Sequence, residues 1–418
     1  MKLLFLNSLY APHVGGGAEI VLQRTVEGLQ RRGDDVCVLA TGPQPGLHVT
    51  EVRGVKVYRA GLLNAYWHFS PQRPGALVRL GWHLRDRYNT GMRQYVKDVI
   101  AREKIDVVVC HNLAGWSVAV WDEITASGTP IVQVLHDLYL MCPGSNMFKK
   151  GNACKTPCTL CRSFRQGHAE RSAQVAAVVG VSEFLLQRVR AAGYFGQACA
   201  NVVYSATPRA EAVMPAYAAL EAPAQPAAEA LRFGYLGTLA EQKGVAWLIR
   251  EFKTLPFPAT LEIAGKGQAD YEAHLRELAG DTPGIHFVGY QSPDQFYRRI
   301  DVAVVPSVWN EPFGLVAVEA CSHSVPVIAS ARGGLPEIVE DGVNGLLCYP
   351  EQPGSLGAAM TRLFNDRALR QRLTDQARCS VEHLLDMERM LDAYQNIFKH
   401  VVIKGMPRHG NDIAVHRR

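Results

Sequence analysis

Glu311 and Glu319 stand eight positions apart in WNEPFGLVAVEA (309–320), one on each side of a Phe-Gly pair and both inside an apolar run. Leu315, Val316, Ala317, Val318 and Ala320 would bury almost any neighbour, and an unpartnered carboxylate there costs about 2–7 kcal/mol. The plain reading is a helix whose first Glu favours the positive end of the dipole and whose second faces water. Other residues point to anion chemistry. GGGAE (15–19) ends one apolar strand and opens a helix, where glycines let the backbone come close and present N–H groups to an anion. It is not GxGxxG, and a simple tight turn is the alternative. GTLAEQKG (237–244) occupies the equivalent point of the second half, and its Lys243 could reach a diphosphate or lie on the surface. His136 and Asp137 end an apolar strand; a lone His is more often structural, but the carboxyl end of a strand raises the odds of contact with a ligand.

The elements that must position these residues read as two repeats of one pattern. KLLFLN, DVCVLAT, GVKVYRA, DVVVCHN, PIVQVLHD and AAVVGVS are continuous apolar strands, and helices such as AEIVLQRTVEGLQRRG lie between them. LRFGYLG, ATLEIAG, GIHFVGY, DVAVVPS, PVIAS and NGLLCYP repeat the theme. An Ala- and Pro-rich stretch, 206–230, separates the halves as a linker. The expected fold is α/β, two doubly wound Rossmann-like domains facing across a cleft, with ligands at the carboxyl ends of the strands. The expected boundaries are 1–205, carrying a Cys-rich insert at 142–161, and 231–384. A last helix at 385–404 could pack back on the first domain, and 405–418 reads as a tail.

A chain of 418 residues, 48% hydrophobic and 20% charged, suits a soluble two-domain protein. No run of 18 apolar residues spans a membrane. MKLLFLN is broken by Asn7 and followed by a helix, so it reads as a strand rather than a secretory signal. The chain is therefore expected in the cytoplasm. Its net charge of +5 is uneven: residues 1–204 hold 23 basic against 14 acidic side chains, and 53–104 alone hold 11 against 3. Solvated helix faces would explain this; an anionic membrane surface or a phosphorylated ligand is the sharper alternative, on which the protein would sit peripherally at the inner face of the membrane. Nucleic acid is not expected, because no binding motif accompanies the charge.

The N-terminal GGGAE, HD, GTLAEQKG, AGKG, EPFGLVAVE and GGLPEIVEDGVNGLL, in this order over about 1–205 and 230–400, resemble the retaining glycosyltransferases of family 4. These are GT-B enzymes that use nucleotide sugars. The resemblance implies roles position by position. Glu319 would bind the donor ribose hydroxyls and Glu311 those of the transferred sugar. Phe313, Gly314 and the amides of Leu315 and Val316 would hold the diphosphate. Lys243 would neutralise the leaving group, with Gly237 and Thr238 beside it, Gly16 and Gly17 approaching from the other domain, and His136 at the reacting sugar. Each carboxylate could then accept two hydroxyl hydrogen bonds, with partners supplied by substrate.

The chain departs from the family in three places. Thr238 stands where an Arg is usual, leaving Lys243 to balance the diphosphate, with Arg332 as a second candidate. Ser324 replaces a usual Gly, which reads as a matter of packing. VVYSATPRA replaces an Asn-Gly pair at the crossover.

No two Asp are spaced Asp-x-Asp, so no cofactor is expected in catalysis and fixed charges must hold the diphosphate. Of ten cysteines, six read as scattered buried thiols. Cys142, Cys154, Cys158 and Cys161 cluster, and structural zinc, free thiols and disulfides are all open. The leading expectation is sugar transfer, with retention, from a UDP- or GDP-sugar to a glycan or lipid-linked acceptor in bacterial cell-surface polysaccharide synthesis. A disaccharide phosphorylase, a sugar-nucleotide epimerase, and a non-catalytic scaffold of a membrane complex are the alternatives.

Overall fold

The structure, a computed structural model, describes residues 1–70, 74–207 and 230–405. Two open sheets are built as the apolar runs dictate. The first has eight strands in the order Cys199–Val202, Ala177–Gly180, Ile131–Leu135, Val107–Cys110, Lys2–Asn7, Asp35–Gly42, Val55–Gly61 and Leu47–Val52. All pairs are parallel except the last, where Leu47–Val52 runs antiparallel to Val55–Gly61. Leu3, Leu4, Phe5 and Leu6 are fully buried, as befits a strand covered by helices on both faces. The second sheet has six parallel strands: Ile285–Gly289, Ala259–Ala264, Leu231–Leu236, Val302–Val305, Val327–Ser330 and Gly345–Cys348.

In each sheet the strand order reverses beside the first strand. Lys2–Asn7 pairs with Asp35–Gly42 on one side and Val107–Cys110 on the other; Leu231–Leu236 pairs with Ala259–Ala264 and with Val302–Val305. Loops leaving these strands diverge there and leave a crevice at the carboxyl ends.

The domains meet at these ends. A Cβ added to Gly17, the first residue of the helix Gly17–Arg31, would lie 2.7 Å from Leu315 Cδ1 at the start of the helix Leu315–Ser322. Ser182 Oγ donates to the Pro312 carbonyl, and the Glu337 carboxylate accepts the Glu183 and Phe184 amides at 2.8 and 2.7 Å. One domain thus caps a helix of the other. The terminal helix Met387–Gly405 lies against the first domain: Arg32 pairs with Glu388 and Asp392, and Leu391 fills the space left by Gly28.

Of the linker 206–230, only Ala206, Thr207 and Ala230 are described; the rest of it, and residues 406–418 of the tail, lie outside the described residues. Ser324 has φ of +59°, so glycine would suit this position through its backbone freedom rather than through packing.

Candidate active site

Lys243 and Glu311 come from separate loops of the second domain. Lys243 ends a short helical turn, Glu241–Lys243, after the strand Leu231–Leu236, and Gly244 closes it at φ +75°. A Cβ there would strike the Pro306 carbonyl, so glycine is what lets the two loops meet. Lys243 Nζ donates to Glu311 Oε1 at 2.7 Å, and Ser307 Oγ donates to the same oxygen at 2.6 Å. The ammonium also lies 5.2 Å from the centre of the Trp309 ring. Burial pushes the Glu311 carboxyl up, but Lys243 and Ser307 outweigh it and hold the group below its ordinary range. Glu311 is therefore a buried, ionised carboxylate paired with a lysine from another loop.

Gly314, at φ +124°, packs against Leu335 and starts the helix Leu315–Ser322, whose leading amides have no intrahelical acceptor. Phe313 is buried in the domain seam, its ring stacked 5.8 Å from Tyr204. One turn into the helix, Glu319 has no hydrogen bond from its carboxylate to any described residue. Burial pushes it up to about 7, against the opposing charges of Arg24 and His323. Gly237 is held close to Gly265, where a Cβ on Gly265 would collide with the Gly237 carbonyl. Thr238 is exposed, and its carbonyl accepts the Tyr235 hydroxyl at 2.8 Å.

The first domain contributes less freely than the sequence suggests. The Gly16 amide already donates to Glu19 Oε2 at 2.9 Å in a capping box, so it is occupied rather than waiting for an anion. Burial raises the Glu19 carboxyl despite these amides. Glu19 lies in the quoted GGGAE and could have been read as that cap.

His136 follows the strand Ile131–Leu135. Its Nε2 is 2.7 Å from His111 Nδ1 and the rings stack at 5.0 Å. Burial lowers His136 to about 4, so the pair is neutral and shares one hydrogen bond. His111 follows the neighbouring strand in DVVVCHN, and the argument that selected His136 selects it too.

Arg332 donates to Glu351 at 2.7 Å, and Lys243 is the cation on Glu311. The four clustered cysteines are all free thiols. Cys158 and Cys161 stand with sulfurs 3.6 Å apart, yet no three Cys, His, Asp or Glu side chains are set to hold a metal among the described residues. Of the six scattered thiols, Cys37, Cys110, Cys321 and Cys348 are buried, whereas Cys199 and Cys379 are exposed.

The 53–104 basic segment is not one surface. Arg53 pairs with Glu27, Lys56 with Glu103, Arg93 with Glu123, and Arg87 bonds Gln166. Trp67 and Trp82 turn inward to hydrogen-bond Thr41 and the Tyr66 carbonyl. What faces outward is the helix Ala76–Asp86, with Leu77 84% and Leu84 57% exposed beside Val78, Leu80, Arg79 and Arg85.

Two doubly wound domains with opposed switch points, and between them a helix N-terminus flanked by two carboxylates and a lysine, define a GT-B glycosyltransferase. The chain belongs to that class by family as well. The model for glycosyl transferases group 1 matches residues 221–379, and that for the glycosyl transferase 4-like domain matches 16–204. A 42.6 kDa protein of the cps region of Klebsiella pneumoniae is 27% identical over 339 residues, 81% of this chain and 87% of the relative. The glycogen synthase of Mycobacterium tuberculosis is 34% identical over 172 residues, 39% of this chain and 41% of that protein. Among solved structures, a sucrose-phosphate synthase from Thermosynechococcus elongatus superposes with TM-score 0.75 at 20% identity, covering 96% of this chain and 99% of the other. Anabaena HepE in complex with UDP-glucose superposes with TM-score 0.69 at 18% identity, covering 96% and 100%.

Proposed function

We propose that the chain transfers a sugar, with retention, from a UDP- or GDP-sugar to a glycan or lipid-linked acceptor in bacterial cell-surface polysaccharide assembly. The observation that carries this reading is the Lys243–Glu311 ion pair at the mouth of the helix Leu315–Ser322, with the Glu319 carboxylate unbonded one turn away. A nucleotide sugar has complementary groups for all three: hydroxyls for each carboxylate and a diphosphate for the lysine and the helix end. HepE, a structural neighbour, holds UDP and glucose, and the Klebsiella relative comes from a cps region; both support the reading.

In the proposed reaction Lys243 shifts from Glu311 to the diphosphate, and Glu311 turns to the sugar hydroxyls. The bond from the anomeric carbon to the phosphate oxygen breaks. The acceptor oxygen forms its bond on the same face, and its proton passes to the departing diphosphate. His136, neutral at physiological pH, takes a sugar hydroxyl as hydrogen-bond partner rather than acting as a cation.

The acceptor is proposed to lie at a membrane surface, with the outward leucines of the helix Ala76–Asp86 set in an anionic leaflet and Arg79 and Arg85 at its headgroups. No helix among the described residues is long and apolar enough to cross a membrane. The Cys142–Cys161 insert is proposed as a structural zinc site. Sulfurs 3.6 Å apart fit one edge of a tetrahedron with metal–sulfur bonds of about 2.3 Å, but the remaining thiols must move to complete it.

Incubation with UDP-, GDP- and ADP-sugars tests the reaction. Slow hydrolysis of one donor class, lost in Lys243→Ala, is expected. A phosphorylase would instead need inorganic phosphate, and a scaffold would consume no donor.

A further inference from the structure

We propose that His111 is a positioning residue of the sugar site. It holds the His136 ring by one hydrogen bond and one stacked face, so that Nδ1, rather than Nε2, is the nitrogen His136 presents to the donor sugar. This rests on the reading of His136 as the residue that meets the transferred sugar. The two side chains follow adjacent parallel strands, Val107–Cys110 and Ile131–Leu135, which pair with Cys110 opposite Gln133. Both therefore stand at carboxyl ends, and Val107–Cys110 neighbours Lys2–Asn7, beside which the strand order reverses. They line one small pocket with Asn112, Asp137 and Tyr139.

His111 is the fixed member of the pair. It is 3% exposed, its amide donates to the Leu6 carbonyl at 2.8 Å, and its carbonyl accepts from Gln133 Nε2 at 2.7 Å. Its ring lies 5.7 Å from that of the fully buried Phe5. Bonds to both neighbouring strands and a core aromatic thus hold it in place. His136 is half-buried and takes its orientation from His111. Its Nε2 is 2.7 Å from His111 Nδ1, and the rings stack at 5.0 Å with 20° between their planes. An imidazole has two broad orientations about its Cβ–Cγ bond. Turning His136 over would set Cε1 where Nε2 now sits and break the hydrogen bond. His111 therefore selects one of the two.

The protons follow from this geometry. Both rings are neutral, so two protons serve four ring nitrogens and one of them lies between the rings. That bond occupies Nε2 of His136, and Nε2 of His111 is sealed with no partner among the described residues. Nδ1 of His136 makes no hydrogen bond to a described residue and is what remains for a sugar hydroxyl. A hydroxyl both gives and takes a hydrogen bond, so it can meet Nδ1 whichever ring supplies the shared proton.

Nitrogen NMR of the full chain carrying isotope-labelled histidine tests the proposal, with His136→Gln and His111→Phe assigning the signals. The wild type should show a scalar coupling across one N–H···N bond, joining His111 Nδ1 to His136 Nε2. His111→Phe keeps an aromatic ring in place but no nitrogen. In it the coupling should vanish, and the His136 nitrogens should move toward the tautomer mixture of a free imidazole. Hydrolysis of UDP- and GDP-sugars by this variant is expected to fall about 3- to 10-fold, the worth of one neutral hydrogen bond, while UDP and GDP affinity stays within about twofold. His111→Asn, whose amide can take the place of Nδ1, should restore most of the turnover. No coupling in the wild type, which needs no variant to measure, would overturn the role of His111, and so would full turnover in His111→Phe. Wild-type turnover in His136→Gln would instead overturn the reading of His136, even with the coupling present.

Discussion

Lys243 Nζ and Glu311 Oε1 are 2.7 Å apart, although 68 residues separate them in the chain. Each neutralises the other, and under the proposed reading a donor would replace both partners. A buried charge left without a partner would cost several kcal/mol.

This pairing separates the two residues' roles. Glu311→Gln is expected to lower sugar-transfer turnover about 10- to 100-fold, the loss of one charge-assisted hydrogen bond worth about 1.5–3 kcal/mol. Nucleoside diphosphate affinity should stay within about twofold, because Lys243 remains and is freed. A variant that keeps its turnover would remove Glu311 from the sugar subsite.

Much of this arrangement was readable before the fold. The continuous apolar runs, Leu3–Leu6 among them, marked buried parallel strands, and their carboxyl ends placed His136, Lys243 and Glu311. The edge strand Leu47–Val52 escaped notice because it is mostly exposed and carries no apolar run. Glu19 was visible as a cap three residues after Gly16, yet the glycines drew the anion argument. Ser182 and Glu337 gave no local signal. Their contacts cross the domain seam at separations of more than a hundred residues, and nothing in a linear sequence encodes which helix ends will meet. The basic stretch was legible as charge but not as a surface: Arg53, Lys56 and Arg93 pair with carboxylates, while leucines share the outer face of the helix Ala76–Asp86 with Arg79 and Arg85.

Acid should destabilise the first domain through Glu103. Burial would raise this carboxyl, but hydrogen bonds from Lys2, Tyr58 and Lys56 hold it down at about 2. A depressed carboxyl stabilises the fold above its unfolded pKa of about 4.3, and that stabilisation is lost as pH falls toward 2. Glu103→Gln is expected to lose up to about 2–3 kcal/mol at pH 7, with the difference shrinking below pH 4. Urea unfolding at pH 7 and pH 3 measures it; an equal deficit at both would rule out the ionic origin.

The Cys142–Cys161 insert should bind about one zinc per chain, and chelation should loosen this region while leaving nucleotide binding intact. Elemental analysis of tag-free protein gives the answer. No transition metal, with thiols that titrate freely, would leave four free cysteines.

Membrane docking is expected to depend on the helix Ala76–Asp86. Co-sedimentation with anionic vesicles at low salt should fade near 0.5 M salt, because each basic side chain at the leaflet adds only about 1 kcal/mol. Leu77→Asn with Leu84→Asn should reduce it further than Arg79→Gln with Arg85→Gln, since the leucines supply the buried apolar area. Protein that stays in the supernatant at low salt would exclude docking.

The central claim, that the seam beside the helix Leu315–Ser322 is a nucleotide-donor site, is tested most directly by calorimetry of UDP and GDP binding at pH 8. The wild-type chain should bind one of them, and Lys243→Ala and Glu319→Ala should each lose about 10- to 100-fold, in proportion to one charge-assisted contact. Unchanged affinity in both variants, or no binding of either nucleotide by the wild type, would contradict it.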